Sequence, residues 1–213
     1  MLQLLFHGQI ATFILFAISL IIAFTFHEFG HAYAAKYYGD RTAEQLGRVS
    51  LSPLAHIDVM GFLMALCVGF GYAKPVPTNP RNFTSPNASL VVAAAGPMMN
   101  LLIAVIAINL YMFGVNNGLE IFAGEGPGVF FTGLAILNLI IMVFNLLPIG
   151  PLDGHYILPY LLPKKAGIAY QVLNERYGTM LFFGLILLSL AGLPIFHFVW
   201  ILGQSILPYI TFV

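Results

Sequence analysis

The run of residues 8–36 is almost wholly apolar, yet near its end it carries the pattern His-Glu-Phe-Gly-His at residues 27–31. An apolar segment of about 20 residues is long enough to cross a bilayer as a helix. Ionisable side chains inside such a segment are costly and by default mark a functional site. The run is therefore predicted to fold as a membrane helix, helix A, that contains two imidazoles and a carboxylate.

The rest of the chain also has the composition of a membrane protein. Of its 213 residues, 60% are hydrophobic and only 8% are charged, whereas soluble domains carry roughly a quarter charged residues. The formal net charge is zero and no basic run is present, which argues against nucleic acid as a partner. The single cysteine, Cys67, excludes a disulfide within one chain. We expect one membrane-embedded domain over residues 1–213, in contact with the lipid bilayer.

The apolar segments and their breaks predict an all-α polytopic membrane protein, a bundle of about four to six transmembrane helices. Helix A lacks the basic start of a signal peptide and is expected to be retained. A weaker apolar stretch and the prolines after it predict a re-entrant and extended, β-like segment between the first two clear spans. The expected boundaries are helix A 8–36, the re-entrant and extended region 50–85, helix B 88–113, helix C 128–147 and the C-terminal spans 178–211. The sequence leaves open whether this last region is one span plus an interfacial helix or two spans.

Charge placement orients the bundle. If residues 57–73 dip into the membrane and return, all eight lysines and arginines fall on one side. The excess of positive charge makes that side cytoplasmic. If residues 57–73 crossed instead, Lys74 and Arg81 would lie outside. The re-entrant arrangement is the more economical, and it places the ionisable cluster of helix A near the cytoplasmic face.

The same topology brings a third ionisable side chain to the two histidines. Residues four apart share a helix face, so His27 and His31 can bind one metal ion. His31 lies five residues before Lys36, which places the pair about 8–14 Å below the cytoplasmic boundary. Helix C runs in the same direction and Asp153 follows its end, so this carboxylate can reach the same depth. Three such ligands and one open position make a catalytic zinc site.

The carboxylate beside the histidines has the position of a general base. Glu28 lies next to the metal-binding face and can take a proton from a water molecule that the metal activates. It can then pass the proton to a leaving amine. Asn145, near the end of helix C, can hydrogen-bond a substrate backbone or a developing oxyanion. A role for Asn145 as a helix cap is open as well.

Together these motifs resemble the site-2 protease family, the intramembrane zinc metalloproteases of peptidase family M50. The matching elements are residues 27–31, Gly96-Pro97-x-x-Asn100, Asn145-x-x-Pro148 leading to Leu152-Asp153-Gly154, and Gly71-Tyr-Ala-Lys-Pro-Val-Pro. The likeness is to short bacterial or archaeal members without a PDZ or CBS domain. It implies one Zn²⁺ per chain bound by His27, His31 and Asp153, with Glu28 as base and Asn145 as a substrate-binding residue.

The resemblance also implies a substrate and a way of binding it. Single-span membrane proteins would be cleaved within or near the bilayer of a bacterial or archaeal cell, as in regulated intramembrane proteolysis. A helical peptide bond is shielded by its own hydrogen bonding, so the substrate must be extended locally. Extended elements after helix A would pair with that peptide and satisfy its freed backbone groups.

Structural interpretations compete with the functional ones at several positions. Gly96, Pro97 and Asn100 are explained more readily by a close approach of helices A and B, with Asn100 as an interhelical hydrogen bond, than by substrate binding. His56 is either a substrate contact, a partner of the site or an interfacial polar residue. For the whole chain, the alternatives are a zinc-binding membrane protein without proteolysis, such as a carrier or an inactive scaffold, and a hydrolase of lipid.

Overall fold

The computed structural model describes residues 2–213, with side chains from residue 4 onward. Over residues 2–213 the chain forms ten α-helices, two 3₁₀ turns and no β-strand. The α-helices are α1 Leu2–Phe6, α2 Ile10–Tyr37, α3 Thr42–Gln45, α4 Pro53–His56, α5 Val59–Val68, α6 Ala88–Asn116, α7 Glu125–Asn145, α8 Gly154–Leu161, α9 Lys164–Leu190 and α10 His197–Ile210. The 3₁₀ turns are Pro80–Asn82 and Glu120–Phe122. The protein is all-helical, as the sequence predicts.

Three helices, α2, α6 and α7, are long and apolar enough to cross a membrane. They correspond to the predicted helices A, B and C, and each end lies within three residues of its predicted position. The count of four to six spans stays a prediction, because α10 has only 14 residues and α9, although 27 residues long, is not apolar enough to count as a candidate span. The predicted region 178–211 is two helices, and the first of them begins much earlier, at residue 164.

Helices α2 and α7 both pack on α6, and they also contact each other. Small residues let the backbones come close, which is how membrane helices associate. A Cβ on Gly30 of α2 would lie 2.7 Å from the C=O oxygen of Ala95 on α6. Between α6 and α7, the buried side chains of Ala104 and Ala107 belong to the same apolar cluster as that of Leu139. His27 and His31 of α2 lie against α6, where they meet Asn100 and Val92.

Residues 57–73 leave one end of the bundle and return to it. The ten residues of α5 are about 15 Å long, half of the hydrocarbon thickness of about 30 Å. The returning chain packs on α5 so closely that a Cβ on Gly71 would lie 2.3 Å from the C=O oxygen of Gly61. At the base, the N–H of Lys74 donates to the C=O of His56 at 2.7 Å. The two arms form a hairpin whose second arm is irregular, so the β-like character predicted for this region is not confirmed.

A buried carboxylate fixes the far end of the returning chain to the end of α2. Asp40 is fully buried and accepts hydrogen bonds from the N–H and hydroxyl of Thr42, at 3.1 and 2.6 Å. It also accepts from the N–H of Asn79 at 2.6 Å and the side-chain amide of Asn82 at 3.0 Å. Burial raises the pKa of the Asp40 carboxyl, but these donors outweigh burial and lower the pKa below its ordinary value.

We expect Asp40→Asn to loosen this corner by about 1–3 kcal/mol, because the amide NH₂ cannot accept the hydrogen bonds of a carboxylate oxygen. A lowered folded-state pKa means that the stabilisation is full at neutral pH and is lost as the pH falls through that lowered value. Amide hydrogen exchange of residues 79–84 at neutral pH measures the loss. Asp58→Asn is the control, since Asp58 accepts a single hydrogen bond, from Gly61. Equal exchange in the two variants would contradict the role of Asp40.

Candidate metal centre

Two histidines of α2 and an aspartate directly before α8 converge inside the bundle. The Nε2 atoms of His27 and His31 lie 3.1 Å apart, and they lie 3.2 and 3.3 Å from the carboxylate oxygens of Asp153. The ligand atoms of the three residues all lie within 4.8 Å of one another. The structure thus brings together the three residues that the sequence analysis assigns as metal ligands.

Hydrogen bonds on the far side of each ring fix which nitrogen faces the centre. Nδ1 of His27 lies 2.6 Å from Oδ1 of Asn100, and Nδ1 of His31 lies 2.7 Å from the C=O of Val92. Both partners are acceptors, so Nδ1 carries the proton and each neutral ring presents the lone pair of Nε2 to the centre. Oδ2 of Asp153 is buried there and has no hydrogen-bond donor among residues 4–213. Two lone pairs and a carboxylate that converge in this way fit Zn²⁺, which takes nitrogen and oxygen ligands.

Two buried asparagines hold the first histidine. Asn100 on α6 and Asn138 on α7 are both fully buried. Nδ2 of Asn100 donates to the C=O of Ala23 at 3.2 Å and to Oδ1 of Asn138 at 2.8 Å, which turns the Asn100 oxygen toward His27. The interhelical hydrogen bond expected of Asn100 is confirmed. Asn138 is not among the residues predicted from the sequence, although an amide in the middle of an apolar span is a usable signal.

A glycine on α6 makes room for both imidazole rings. A Cβ on Gly96 would lie 2.3 Å from Nε2 of His31 and 2.8 Å from Cε1 of His27. No side chain fits at these distances, so glycine is the residue that lets α6 pass behind the rings. The close approach of helices A and B predicted at this position is confirmed.

We expect Gly96→Ala to weaken zinc binding by about 10–100-fold, the range found when groups around the ligands are disturbed. The added methyl group would displace Nε2 of His31 from its present position. Zinc retained by the purified protein against chelators of graded strength measures the effect. Gly133→Ala on α7 is the matched control, because a Cβ there would meet only Phe16, at 3.6 Å. Equal zinc affinity in the two variants would show that the rings do not depend on this space.

The loop that carries Asp153 is held from two sides. Gly154 packs so closely on the end of α7 that a Cβ there would lie 2.2 Å from the C=O oxygen of Leu146. On the other side, the side chain of Asn174 on α9 accepts from the N–H of Gly150 at 3.1 Å and donates to its C=O at 3.3 Å. The C-terminal helix α9 therefore helps to position a candidate ligand. This role of the C-terminal region is not predicted from the sequence.

Glu28 lies next to the histidines in sequence and its side chain is buried, at 8% exposed. Within residues 4–213, no Lys or Arg nitrogen lies within 4.0 Å of its carboxylate. Arg48 and His56 are in electrostatic range: burial lowers the pKa of both side chains, and the charge of Glu28 opposes that lowering. A buried carboxylate that is not engaged in an ion pair is available to accept a proton.

The residues predicted to bind substrate have different surroundings. Asn100 is enclosed by α2 and α7, as described above. Asn145 is half-buried, and its Nδ2 donates to the C=O of Ile141 at 3.0 Å within α7. His56 is fully buried, with Nε2 2.6 Å from the C=O of Ser50 and Nδ1 without a partner in the described part of the chain. A direct substrate contact by any of the three stays a prediction.

Similarity to known proteins decides the family. The sequence model of Peptidase family M50 matches residues 15–123. The chain belongs to this family. It is 41% identical over 168 residues to the “Putative zinc metalloprotease YwhC” of Bacillus subtilis, a match that covers 78% of this chain and 76% of that protein. No solved structure gives a significant match.

Two further relatives of this M50 protein are longer. It is 30% identical over 166 residues to the “Putative zinc metalloprotease Rip2” of Mycolicibacterium smegmatis, covering 61% of that protein. It is 26% identical over 189 residues to the “Zinc metalloprotease MJ0392” of Methanocaldococcus jannaschii, covering 46% of that protein. The shares of this chain in the two matches are 74% and 86%. Family membership confirms the predicted enzyme class, a zinc metalloprotease of the membrane, and its Zn²⁺ cofactor, and the three convergent side chains could bind such an ion.

Proposed function

We propose that this M50 protein is an intramembrane protease that hydrolyses peptide bonds within or near the transmembrane segments of single-span membrane proteins. The observation that carries the proposal is the burial of His27, Glu28 and His31 within a helix able to cross a membrane. A hydrolytic centre at that place meets substrates that lie in the bilayer. Regulated intramembrane proteolysis is the process that such cleavage serves. Residues 1–213 act as one membrane-embedded protease domain.

The roles of the site residues follow from their positions. His27, His31 and Asp153 would hold zinc through two imidazole nitrogens and a carboxylate. When bound, zinc supplies Lewis acidity, which lowers the pKa of a water molecule and polarises the scissile carbonyl. Glu28 takes a proton from the attacking water as general base and delivers it to the leaving amine. Asn100 keeps the ring of His27 in the tautomer that presents Nε2.

The substrate peptide is proposed to bind in extended form. Residues 70–78 belong to no helix or strand and lie beside α5 at the end of the bundle that holds the centre. An irregular edge of this kind can pair with an unwound peptide, whose freed N–H and C=O groups need partners in a dry site. Asn145, at the end of α7, is proposed to bind the backbone of the same peptide.

The centre is proposed to lie near the cytoplasmic face of a bacterial or archaeal cell membrane. The end of α2 beyond the histidines carries basic residues, with Lys36 and Arg41 paired to Glu44 at 2.7 and 2.6 Å. Basic residues concentrate on the cytoplasmic side of membrane proteins. The hairpin of residues 57–73 returns to this same side, which supports a re-entrant segment.

A panel of single-span membrane peptides tests the proposal. Zinc-loaded protein in bicelles is incubated with the panel, and mass spectrometry identifies the products. We expect cleavage within or next to the apolar span of at least one peptide. Release of fatty acid from the bicelle lipid without peptide products would indicate a lipid hydrolase. Bound zinc without either product would indicate a carrier or an inactive scaffold.

A further inference from the structure

Arg48 is a buried cation without a carboxylate partner. Its side chain is only 5% exposed, and within residues 4–213 no Asp or Glu oxygen lies within 4.0 Å of its guanidinium. Its Nε–H is buried and has no acceptor there. Taking a guanidinium out of water without a counter-charge is costly. The contacts that the Arg48 side chain makes must offset this desolvation free energy.

The guanidinium holds the backbone of the irregular segment, residues 70–78. Nη1 of Arg48 donates to the C=O of Pro75 at 3.1 Å, and Nη2 donates to the C=O of Lys74. The rigid fork of a guanidinium suits two acceptors at once. Within the described residues 2–213, the segment makes one backbone–backbone hydrogen bond, from the N–H of Lys74 to the C=O of His56. Arg48 therefore supplies most of the polar contacts that fix the middle of the segment.

These contacts lie beside α2, the helix that carries Glu28. Helix α4 packs on α2, and its last residue, His56, is tied to the loop after Arg48 through the C=O of Ser50. Arg48, His56 and the segment thus form one unit beside α2. The charges of Arg48 and Glu28 interact across this packing. The middle of the segment is therefore fixed close to the part of α2 on which α4 packs.

Only some backbone groups of the segment are free to bind a peptide. Pro75 and Pro77 carry no N–H, and Arg48 occupies the C=O groups of Lys74 and Pro75. Within residues 4–213, the segment's N–H groups without an acceptor include those of Gly71, Tyr72, Ala73, Val76 and Thr78. Free donors therefore lie on both sides of the point that Arg48 holds. They suit a peptide whose own C=O groups have lost their helical partners.

We infer that Arg48 is a positioning residue that fixes the substrate-pairing segment, so that an extended peptide bound to its free N–H groups is held beside Glu28. The inference rests on the proposed function and deepens it. The substrate class it names is a peptide with an unwound stretch of several residues around the scissile bond, recognised through backbone carbonyls. Arg48 itself touches the segment and not the substrate.

Steady-state cleavage of a single-span peptide by the full-length, zinc-loaded protein tests the inference. We expect Arg48→Gln to raise KM by about tenfold, the effect of losing roughly one net charge-assisted hydrogen bond. Arg48→Lys should give an intermediate KM, because lysine keeps the charge and loses the fork. In both variants kcat should change less than KM and zinc content should stay at the wild-type value. An unchanged KM in Arg48→Gln, or a fall in kcat alone, overturns the inference.

The control and a second measurement keep the test decisive. Arg176→Lys is the matched control, because Arg176 is exposed on α9 with its guanidinium 5.1 Å from the ring centre of Tyr177. If Arg48→Gln does not fold, hydrogen exchange of residues 71–78 is followed in Glu28→Gln protein with and without the uncleaved peptide. Slower exchange with peptide supports the inference, and unchanged exchange overturns it. If the wild type cleaves no peptide, the proposed function itself falls.

Discussion

Glu28→Gln is expected to abolish proteolysis while zinc stays bound. A glutamine side chain cannot take a proton from the attacking water, and general acid–base catalysis contributes typically about 10²–10⁴-fold to a rate. Glu28 is not among the three groups whose ligand atoms converge, so zinc per chain should equal that of the wild type. Both quantities are measured on one sample, by peptide cleavage in bicelles and by metal analysis.

The matched control for this variant is Glu125→Gln. Glu125 is exposed at the start of α7, at the opposite end of that helix from Asp153. The control should leave both cleavage and zinc content unchanged. Cleavage by Glu28→Gln at a rate near that of the wild type would remove Glu28 as the base. Loss of zinc from the same variant would mean that this carboxylate holds the metal.

The sequence predicts the long helices and the two histidines well because both depend on local patterns. An apolar run of sufficient length crosses the bilayer whatever its neighbours are, so helices A, B and C are placed to within three residues. A spacing of four residues brings His27 and His31 to one helix face without further information. Placing Asp153 at the depth of the histidines also required the direction of helix C, which the charge pattern indicates.

The contacts that support the centre cannot be predicted from local sequence patterns. Asn138 and Asn174 act through partners far away in the chain, and only the packing shows which backbone group or amide each one meets. The β-like character predicted for the returning chain is not confirmed, for a related reason. Prolines did indicate that the returning chain is not helical, but a side chain, Arg48, holds that chain where strand pairing was expected.

Helix α9 begins earlier than predicted because the polar residues after Lys164, which are typical of a loop, lie on the exposed surface of a helix.

Asp153→Asn is expected to release zinc. Asparagine has the same shape as aspartate but no charge. The two Nε2 atoms, 3.1 Å apart, would then bind the zinc ion without the help of a carboxylate. We expect zinc affinity to fall by at least about 100-fold, because loss of a ligand should exceed the 10–100-fold effect of losing a surrounding partner. Retention of zinc against graded chelators measures the change. Asp58→Asn is the matched control, because Asp58 caps α5 and should not affect zinc.

Excess zinc separates this variant from Glu28→Gln. If Asp153 acts only as a ligand, high free zinc should refill the centre of Asp153→Asn and restore part of its cleavage. The same zinc should do nothing for Glu28→Gln, because that variant keeps its metal and lacks the base. Wild-type zinc affinity in Asp153→Asn would mean that the third ligand is another group. Full occupancy without any recovery of cleavage would mean that the Asp153 carboxylate does more than hold the metal.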